Sequence, residues 1–145
     1  MLLYGCSHVD EKARKNISGV VTLNGQIVTQ GDISFVPLET DAPPEASIKG
    51  GNAKIGLDGK YKLSRDLGLF KGKYQVRVVS GNYVHIKTNE IPTPGEFVRD
   101  PDSYRFERLV PEEYSLNSKL TATVGEDKNQ TFDFNLENTS TKKNK

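Results

Sequence analysis

The acidic residues of the chain are the first candidates for chemistry, because six of them stand in close pairs. The pairs are Asp100 and Asp102, Glu112 and Glu113, and Glu126 and Asp127. Two carboxyl groups about 5–9.5 Å apart across a cleft can hydrolyse a glycosidic bond, and loop carboxylates can also bind calcium. No EF-hand spacing is present, and charged residues are rarely buried. We expect solvated loop acids and keep a hydrolase as an alternative.

Histidine and cysteine chemistry has few residues to draw on. The chain holds two histidines, His8 and His85, and one cysteine, Cys6. No His-x-His or Cys-His spacing typical of a metal site occurs. There is no G-x-S-x-G nucleophile motif, and GLDGK lacks the spacing of a phosphate-binding loop. The sequence therefore predicts no catalytic residue, no metal and no cofactor.

Four aromatic residues lie in the long segment that follows the middle of the chain. They are Tyr83, Phe97, Tyr104 and Phe106. Aromatic side chains on loops can form a patch that binds sugar or protein. They can equally pin the segment onto the rest of the domain, since single surface aromatics are ordinary. Both interpretations stay open at this point.

Composition narrows the class of protein. A chain of 145 residues predicts one domain, and its 20 basic and 19 acidic side chains give no basic surface for phosphate backbones. A segment needs about 18 apolar residues to cross a bilayer, and the sequence contains no such run. Only 34% of the residues are hydrophobic, which indicates a thin core with long polar loops. We expect no nucleic-acid partner.

The elements that must position these residues are strands. Apolar residues alternate at period two in several short segments, which is typical of strands with one buried face. The segments are residues 17–23, 32–38, 53–57, 60–63, 73–79, 118–124 and 130–137. Asn24-Gly25 and Asp58-Gly59 predict tight turns between them. No window has a helical period with caps, so the sequence predicts an all-β sandwich of about seven strands, transthyretin-like or Ig-like.

The order of these segments carries a resemblance to a known family. The motifs are SGVVTLNGQIVTQGDISFVPL, then IGLDGKYKL, then KGKYQVRVV, and last VPEEYSLNSKLTATVGEDKNQTFDFNL. Residues 17–137 thereby resemble the small bacterial carboxypeptidase regulatory-like domains, which share a transthyretin-like sandwich. An enzymatic branch of that fold carries paired histidines and a C-terminal Tyr-Arg-Gly-Ser, whereas this chain ends its last strand as FDFNLEN. The resemblance therefore implies a binding domain and not that enzyme.

The beginning of the chain resembles a processing signal. Leu3-Tyr4-Gly5-Cys6 is similar to a bacterial lipobox, in which the cysteine thiol receives a lipid. A secretory signal needs an apolar core of 7–15 residues, so we expect the true start to lie upstream. Residues 1–16 are then a signal remnant and flexible tether, residues 17–137 the sandwich, and residues 138–145 a disordered polar tail. Attached acyl chains would anchor the protein stably.

Together these observations predict a non-enzymatic lipoprotein of the bacterial cell envelope. It would bind or scaffold at the cell surface, with carbohydrate or another envelope protein as its partner and the membrane reached through Cys6. An accessory domain of a polysaccharide-degrading or peptidase complex is one alternative. A hydrolase using loop carboxylates is another, and a protein without lipid on Cys6 would be secreted or cytoplasmic.

Overall fold

The protein is built almost entirely of β-strands in the computed structural model, which describes residues 14–44, 46 and 50–138. The first five strands are β1 (Asn16–Leu23), β2 (Gln26–Ile27), β3 (Asp32–Thr40), β4 (Gly51–Lys54) and β5 (Lys60–Leu63). After them come β6 (Gly72–Val79), β7 (Gly81–His85), α1 (Pro94–Arg99) and β8 (Tyr104–Arg108). The last three strands are β9 (Thr121–Val124), β10 (Asn129–Thr131) and β11 (Phe134–Leu136). Short 3-10 turns lie at Arg65–Leu67, Pro101–Ser103 and Glu112–Tyr114.

The first sheet is organised around β1. Strands β5 and β2 pair with β1 antiparallel on one side, and β10 and β11 pair with it parallel on the other. Between β10 and β11 the pairing with β1 is interrupted, but its register is the same on both sides. In the interruption the Phe132 N–H donates to the Ser18 carbonyl at 2.8 Å, and the Asp133 carboxylate accepts the Val20 N–H at 2.9 Å. The side chain of Asp133 thus takes a backbone donor of β1, and one continuous edge of the sheet is divided into two short strands.

The second sheet has the order β4-β3-β6-β9, and all of its pairs are antiparallel. Its longest pairing joins β3 to β6, and the register shifts between Pro37 and Glu39. Proline has no N–H to give to a ladder, so a bulge beside it is expected. Strand β3 nevertheless continues past the proline to Thr40.

The two sheets face each other across an apolar core. Alternate residues of β6 are fully buried, namely Tyr74, Val76 and Val78, as their period-two pattern predicts. Phe35 of the second sheet packs against Tyr61 and Phe134 of the first, with ring centroids 6.0 and 6.4 Å away. Burial raises the pKa of the Tyr74 hydroxyl to about 12, and this hydroxyl donates to the Phe70 carbonyl at 2.7 Å.

The fold class predicted from the sequence is confirmed as an all-β sandwich, but the strand count is wrong. The described residues form eleven strands, not seven. The extra strands arise because an interruption of the pairing divides β10 from β11, because β2 adds a two-residue arm after the Asn24-Gly25 turn, and because β7 and β8 form a separate ribbon. That turn itself is as predicted, since Asn24 and Gly25 both have positive φ.

One helix was not predicted. Helix α1 begins after Thr93, whose hydroxyl accepts the Glu96 N–H while the Glu96 carboxylate accepts the Thr93 N–H. This reciprocal pair is a capping box, and Pro94 at the first helical position suits it. The helix is six residues long and buries none of them, so it leaves no helical period in the sequence. No helix in the described part of the chain is long and apolar enough to span a membrane.

The sandwich extends slightly beyond its predicted start. Strand β1 begins at Asn16, and the guanidinium of Arg14 lies 4.5 Å from the centre of the Phe70 ring. The lipid-attachment prediction for Cys6 falls outside the described residues, as do His8 and most of the predicted tether and tail.

Candidate functional site

The ribbon formed by β7 and β8 lies outside the two-sheet sandwich and carries the aromatic residues. Tyr83 pairs with Phe106, and His85 pairs with Tyr104, across the two strands. Residues opposite each other or two apart on a strand share a face, so these four side chains form one surface. Helix α1 follows β7 and contributes Phe97 to it.

The rings of this surface pack against one another as a continuous row. The Phe97 ring lies 4.4 Å from Tyr83 and 5.8 Å from Tyr104, between centroids. Phe106 meets Tyr83 edge-on at 5.2 Å, and His85 meets Tyr104 edge-on at 5.2 Å. We call these five residues the aromatic cluster. Tyr83 is 45% exposed, and the other four are half-buried, so the cluster holds the helix on the ribbon and still presents ring surface.

A hollow of about 400 Å³ opens at the His85 end of the aromatic cluster. Its walls include the Tyr104 ring, the His85 imidazole, the Thr88 hydroxyl and the carboxylates of Glu90 and Glu96. Ile91 and Pro92 complete the apolar part of the wall. Small-molecule sites commonly have mainly apolar and aromatic walls with a few placed polar groups, whereas polar side chains predominate in this hollow. Such a lining suits a ligand that carries many hydroxyl groups.

The turn after β7 orients the imidazole. The Nδ1 atom of His85 accepts the backbone N–H of Lys87 at 3.2 Å and that of Thr88 at 3.4 Å. A nitrogen that accepts hydrogen bonds carries no hydrogen, so the neutral ring has its hydrogen on Nε2. The ring can therefore donate one hydrogen bond from Nε2 to a bound molecule.

The capping box of α1 sets the charge at the rim of the hollow. Hydrogen bonds from the Thr93 N–H and hydroxyl lower the pKa of the Glu96 carboxyl. Their lengths are 2.8 and 2.9 Å. Partial desolvation, followed by the negative charges of Glu96 and Asp100, raises the pKa of the Tyr104 hydroxyl. At neutral pH the hollow thus holds an ionised Glu96 and a neutral tyrosine, an acceptor and a donor.

The ribbon is held to the sandwich at its base. The Gln30 side-chain amide donates to the Gly81 carbonyl at 2.8 Å and to the Asn82 side chain at 2.7 Å. The Ser80 hydroxyl, which is buried, donates in turn to the Gln30 carbonyl at 2.7 Å. Only Ser80 separates β6 from β7, so the ribbon continues directly from a core strand.

The three acidic pairs considered first lie in separate places. Asp100 accepts the Ser103 hydroxyl at 2.6 Å after α1, and Glu112 lies 3.5 Å from Arg108. Glu126 is bonded to Lys71 at 2.6 Å, and this hydrogen bond lowers the pKa of the Glu126 carboxyl. Within residues 14–44, 46 and 50–138, no group of three or more His, Cys, Asp or Glu side chains could hold a metal ion.

Reasoning from the sequence identified part of this site. All four aromatic residues singled out there meet in the aromatic cluster, and His85 joins them. The sequence did not indicate Glu90 and Glu96. They do not belong to β7 or β8, and only the turn after β7 and helix α1 bring them to the ribbon. The signal for Glu96 was present in the sequence as Thr93-Pro94-Gly95-Glu96. This is a capping-box pattern in which a proline occupies the first helical position.

Comparisons with known proteins add one distant likeness. No protein-family model and no curated protein matches the chain. A crystal structure of a putative carbohydrate binding protein from Pseudomonas aeruginosa is similar at a TM-score of 0.43 and 11% sequence identity. The match covers 88% of this chain and 91% of that chain. The carboxypeptidase regulatory-like resemblance stays a prediction.

Proposed function

We propose that this protein is a non-catalytic binding module that recognises a saccharide through the aromatic cluster and the hollow beside it. The observation that carries the proposal is the joining of a half-exposed aromatic row with a polar hollow on a ribbon outside the core. A sugar ring offers an apolar C–H face and a rim of hydroxyls. The Tyr104 ring suits the first, and the carboxylates of Glu90 and Glu96 suit the second.

The electrostatics of the hollow favour binding over hydrolysis. A glycosidase needs a carboxyl group whose pKa is raised, so that it can protonate the leaving group. The pKa of Glu96 is lowered instead, because one of its oxygens caps α1. A carboxylate that remains ionised accepts sugar hydroxyls and does not act as an acid.

Affinity measurements on the full chain test this function. We expect at least one of four soluble oligosaccharides, cellohexaose, chitohexaose, xylohexaose or mannohexaose, to bind by isothermal titration calorimetry. Tyr104→Ala should weaken that binding about tenfold or more, since a stacked aromatic contributes about 1–3 kcal/mol. Tyr104→Phe should retain most of the affinity if contact with the aromatic ring supplies most of the binding free energy.

A matched control removes an exposed apolar side chain elsewhere. Leu116 is 70% exposed and lies outside the aromatic cluster and its hollow, so Leu116→Ala should bind as the unaltered protein does. Equal losses in Tyr104→Ala and Leu116→Ala, with both variants folded, would contradict the assignment. Hydrolysis of any of the four oligosaccharides would contradict the non-catalytic part of the proposal.

The proposal also places the protein at the bacterial cell envelope, with lipid on Cys6. Its support is the lipobox-like Leu3-Tyr4-Gly5-Cys6 and the polar segment that follows it. The intact mass of protein expressed in a bacterial host from an extended upstream start tests this directly. We expect a diacylglyceryl or triacyl addition that is absent from Cys6→Ser. An unmodified cysteine in membrane-extracted protein would refute the anchor without touching the saccharide site.

A further inference from the structure

A second depression, larger than the hollow on the ribbon, lies on the outer face of the first sheet. It encloses about 860 Å³ and opens widely to solvent. Its floor is the outward side of β1 around Ser18 and Val20, and its walls come from β5, the turn before β5, and the strand edge near Thr131. None of these residues belongs to the aromatic cluster.

Three lysines line this depression: Lys54, Lys60 and Lys62. Lys60 and Lys62 are two residues apart on β5 and both point outward, so their backbones are about 7 Å apart. Within the part of the chain that the structure describes, neither forms an ion pair. Lys54 meets Asp32 at 2.9 Å, but its side chain is 85% exposed, so this pair is weak.

Hydroxyl donors stand in register with the lysines. Ser18 on β1 pairs with Lys62 on one side and with Thr131 on the other. Neighbouring strands lie about 4.8 Å apart, so Lys62, Ser18 and Thr131 stand in a short row across three strands with their side chains on the same face. Ammonium and hydroxyl groups together are donors suited to an oxyanion.

The acids of the depression are engaged with the backbone. Asp58 accepts the Lys60 N–H at 3.0 Å within its turn, and Asp133 accepts the Val20 N–H at 2.9 Å between β10 and β11. One oxygen of each carboxylate is thus engaged in a hydrogen bond with a backbone N–H. With Asp32 beside Lys54, acids and lysines at this depression are equal in number. Among the described residues, Lys60 and Lys62 are nevertheless the lysines of the lining whose ammonium groups form no ion pair, so they are available to an anion.

We infer that this depression binds a ligand through an oxyanion, a carboxylate or phosphate group, held by Lys60, Lys62 and the Ser18–Thr131 row. The site is separate from the saccharide site proposed above and does not depend on it. Contacts of exposed charges are individually weak, so we expect a modest affinity that falls as salt is added.

Titrations of the full chain followed by amide NMR shifts test the site. The probes are trigalacturonate, sodium phosphate at matched ionic strength, and neutral cellotriose. We expect shifts around Ser18, Lys62 and Thr131 with an anionic probe. The double variant Lys60→Gln/Lys62→Gln should weaken binding up to about tenfold, the sum of two exposed ion-pair contributions. Lys73→Gln, which removes one exposed lysine from the second sheet, is the control.

Every outcome bears on the inference. Binding of trigalacturonate alone assigns the site to a polymer carboxylate, binding of phosphate alone assigns it to free phosphate, and either supports an oxyanion site. Tyr104→Ala should leave this binding unchanged, which separates the result from the fate of the saccharide site. Binding of neither anion, equal binding of cellotriose at this face, or a loss in Lys73→Gln as large as in the double variant would overturn the inference.

Discussion

The sandwich core and the ribbon use the same kinds of aromatic side chain in opposite ways. Phe35, Tyr61 and Phe134 meet between two sheets and are almost fully buried. Tyr83 and Phe97 meet at an even shorter centroid distance, 4.4 Å, but no second sheet covers them. Aromatic packing alone therefore does not distinguish core from surface in this protein. The difference lies in what covers the rings, and the uncovered set is the one available to a ligand.

The largest effect in this comparison is expected in the core. Phe35→Ala removes a ring that is 1% exposed and touches both other core aromatics. We expect the free energy of unfolding to fall by about 3–5 kcal/mol, since a buried phenyl ring leaves a cavity. Urea denaturation measures this loss. A loss below about 1 kcal/mol would mean that the two sheets do not pack as described.

The next effect concerns the close approach of Gly19 in β1 to Phe132, between β10 and β11. A methyl group at Gly19 would overlap the carbonyl oxygen of Phe132, which also accepts the Tyr61 hydroxyl at 2.6 Å. Gly19→Ala should cost about 1–3 kcal/mol of unfolding free energy, as overpacking usually does. Gly95→Ala is the matched control, because the nearest atom to the new methyl there is the Arg99 guanidinium, 3.9 Å away. Equal stability of the two variants would argue against the close approach of Gly19 to Phe132.

A smaller and more local effect is expected on the ribbon. Phe97→Ala removes the ring that joins Tyr83 to Tyr104, and half-exposed rings contribute less than buried ones, about 1–2 kcal/mol. Hydrogen exchange should quicken in residues 81–108 while amides of β3 and β6 keep their protection. If exchange quickened uniformly, the ribbon would unfold together with the core. That result would contradict the distinction between the buried core aromatics and the aromatic cluster.

These regions also differ in how well a sequence predicts them. Alternation at Tyr74, Val76 and Val78 reports burial directly, so the core strands and the sandwich class could be predicted. The interruption at Phe132–Asp133 could not, because the run QTFDFNLE alternates throughout and its register with β1 is the same on both sides. Only tertiary contacts of Gly19 and Tyr61 with Phe132 show where the strand breaks.

The candidate site was predictable as a set of residue types but not as a geometry. Tyr83 and Phe106 are partners through strand register, and the segment between them contains a turn, a helix and a 3-10 turn. A six-residue helix with no buried residue gives no periodic signal. The local cue that did exist, Thr93 three residues before Glu96, describes a helix start and not the hollow that the helix encloses.

The smallest expected effect is a pH dependence of α1. The hydrogen bonds from Thr93 lower the pKa of Glu96 in the folded chain relative to the unfolded chain. A group with a lowered folded pKa stabilises the fold fully above its unfolded pKa, and loses that contribution as pH falls through the folded value. Protection of the α1 amides should therefore decrease below the ordinary pKa of a glutamate. In Glu96→Gln, which has no carboxyl group to protonate, the same pH change should have little effect; an identical pH response in that variant would contradict the capping role of the Glu96 carboxylate.

The most direct test of the central claim is amide NMR shift mapping of the full chain, titrated with whichever of the four oligosaccharides binds most tightly. If the uncovered aromatic row is the saccharide site, the largest shifts will fall within residues 83–106, at His85, Glu90, Glu96 and Tyr104. Shifts confined to the outer face of the first sheet, or no shifts with any of the four sugars, would contradict it.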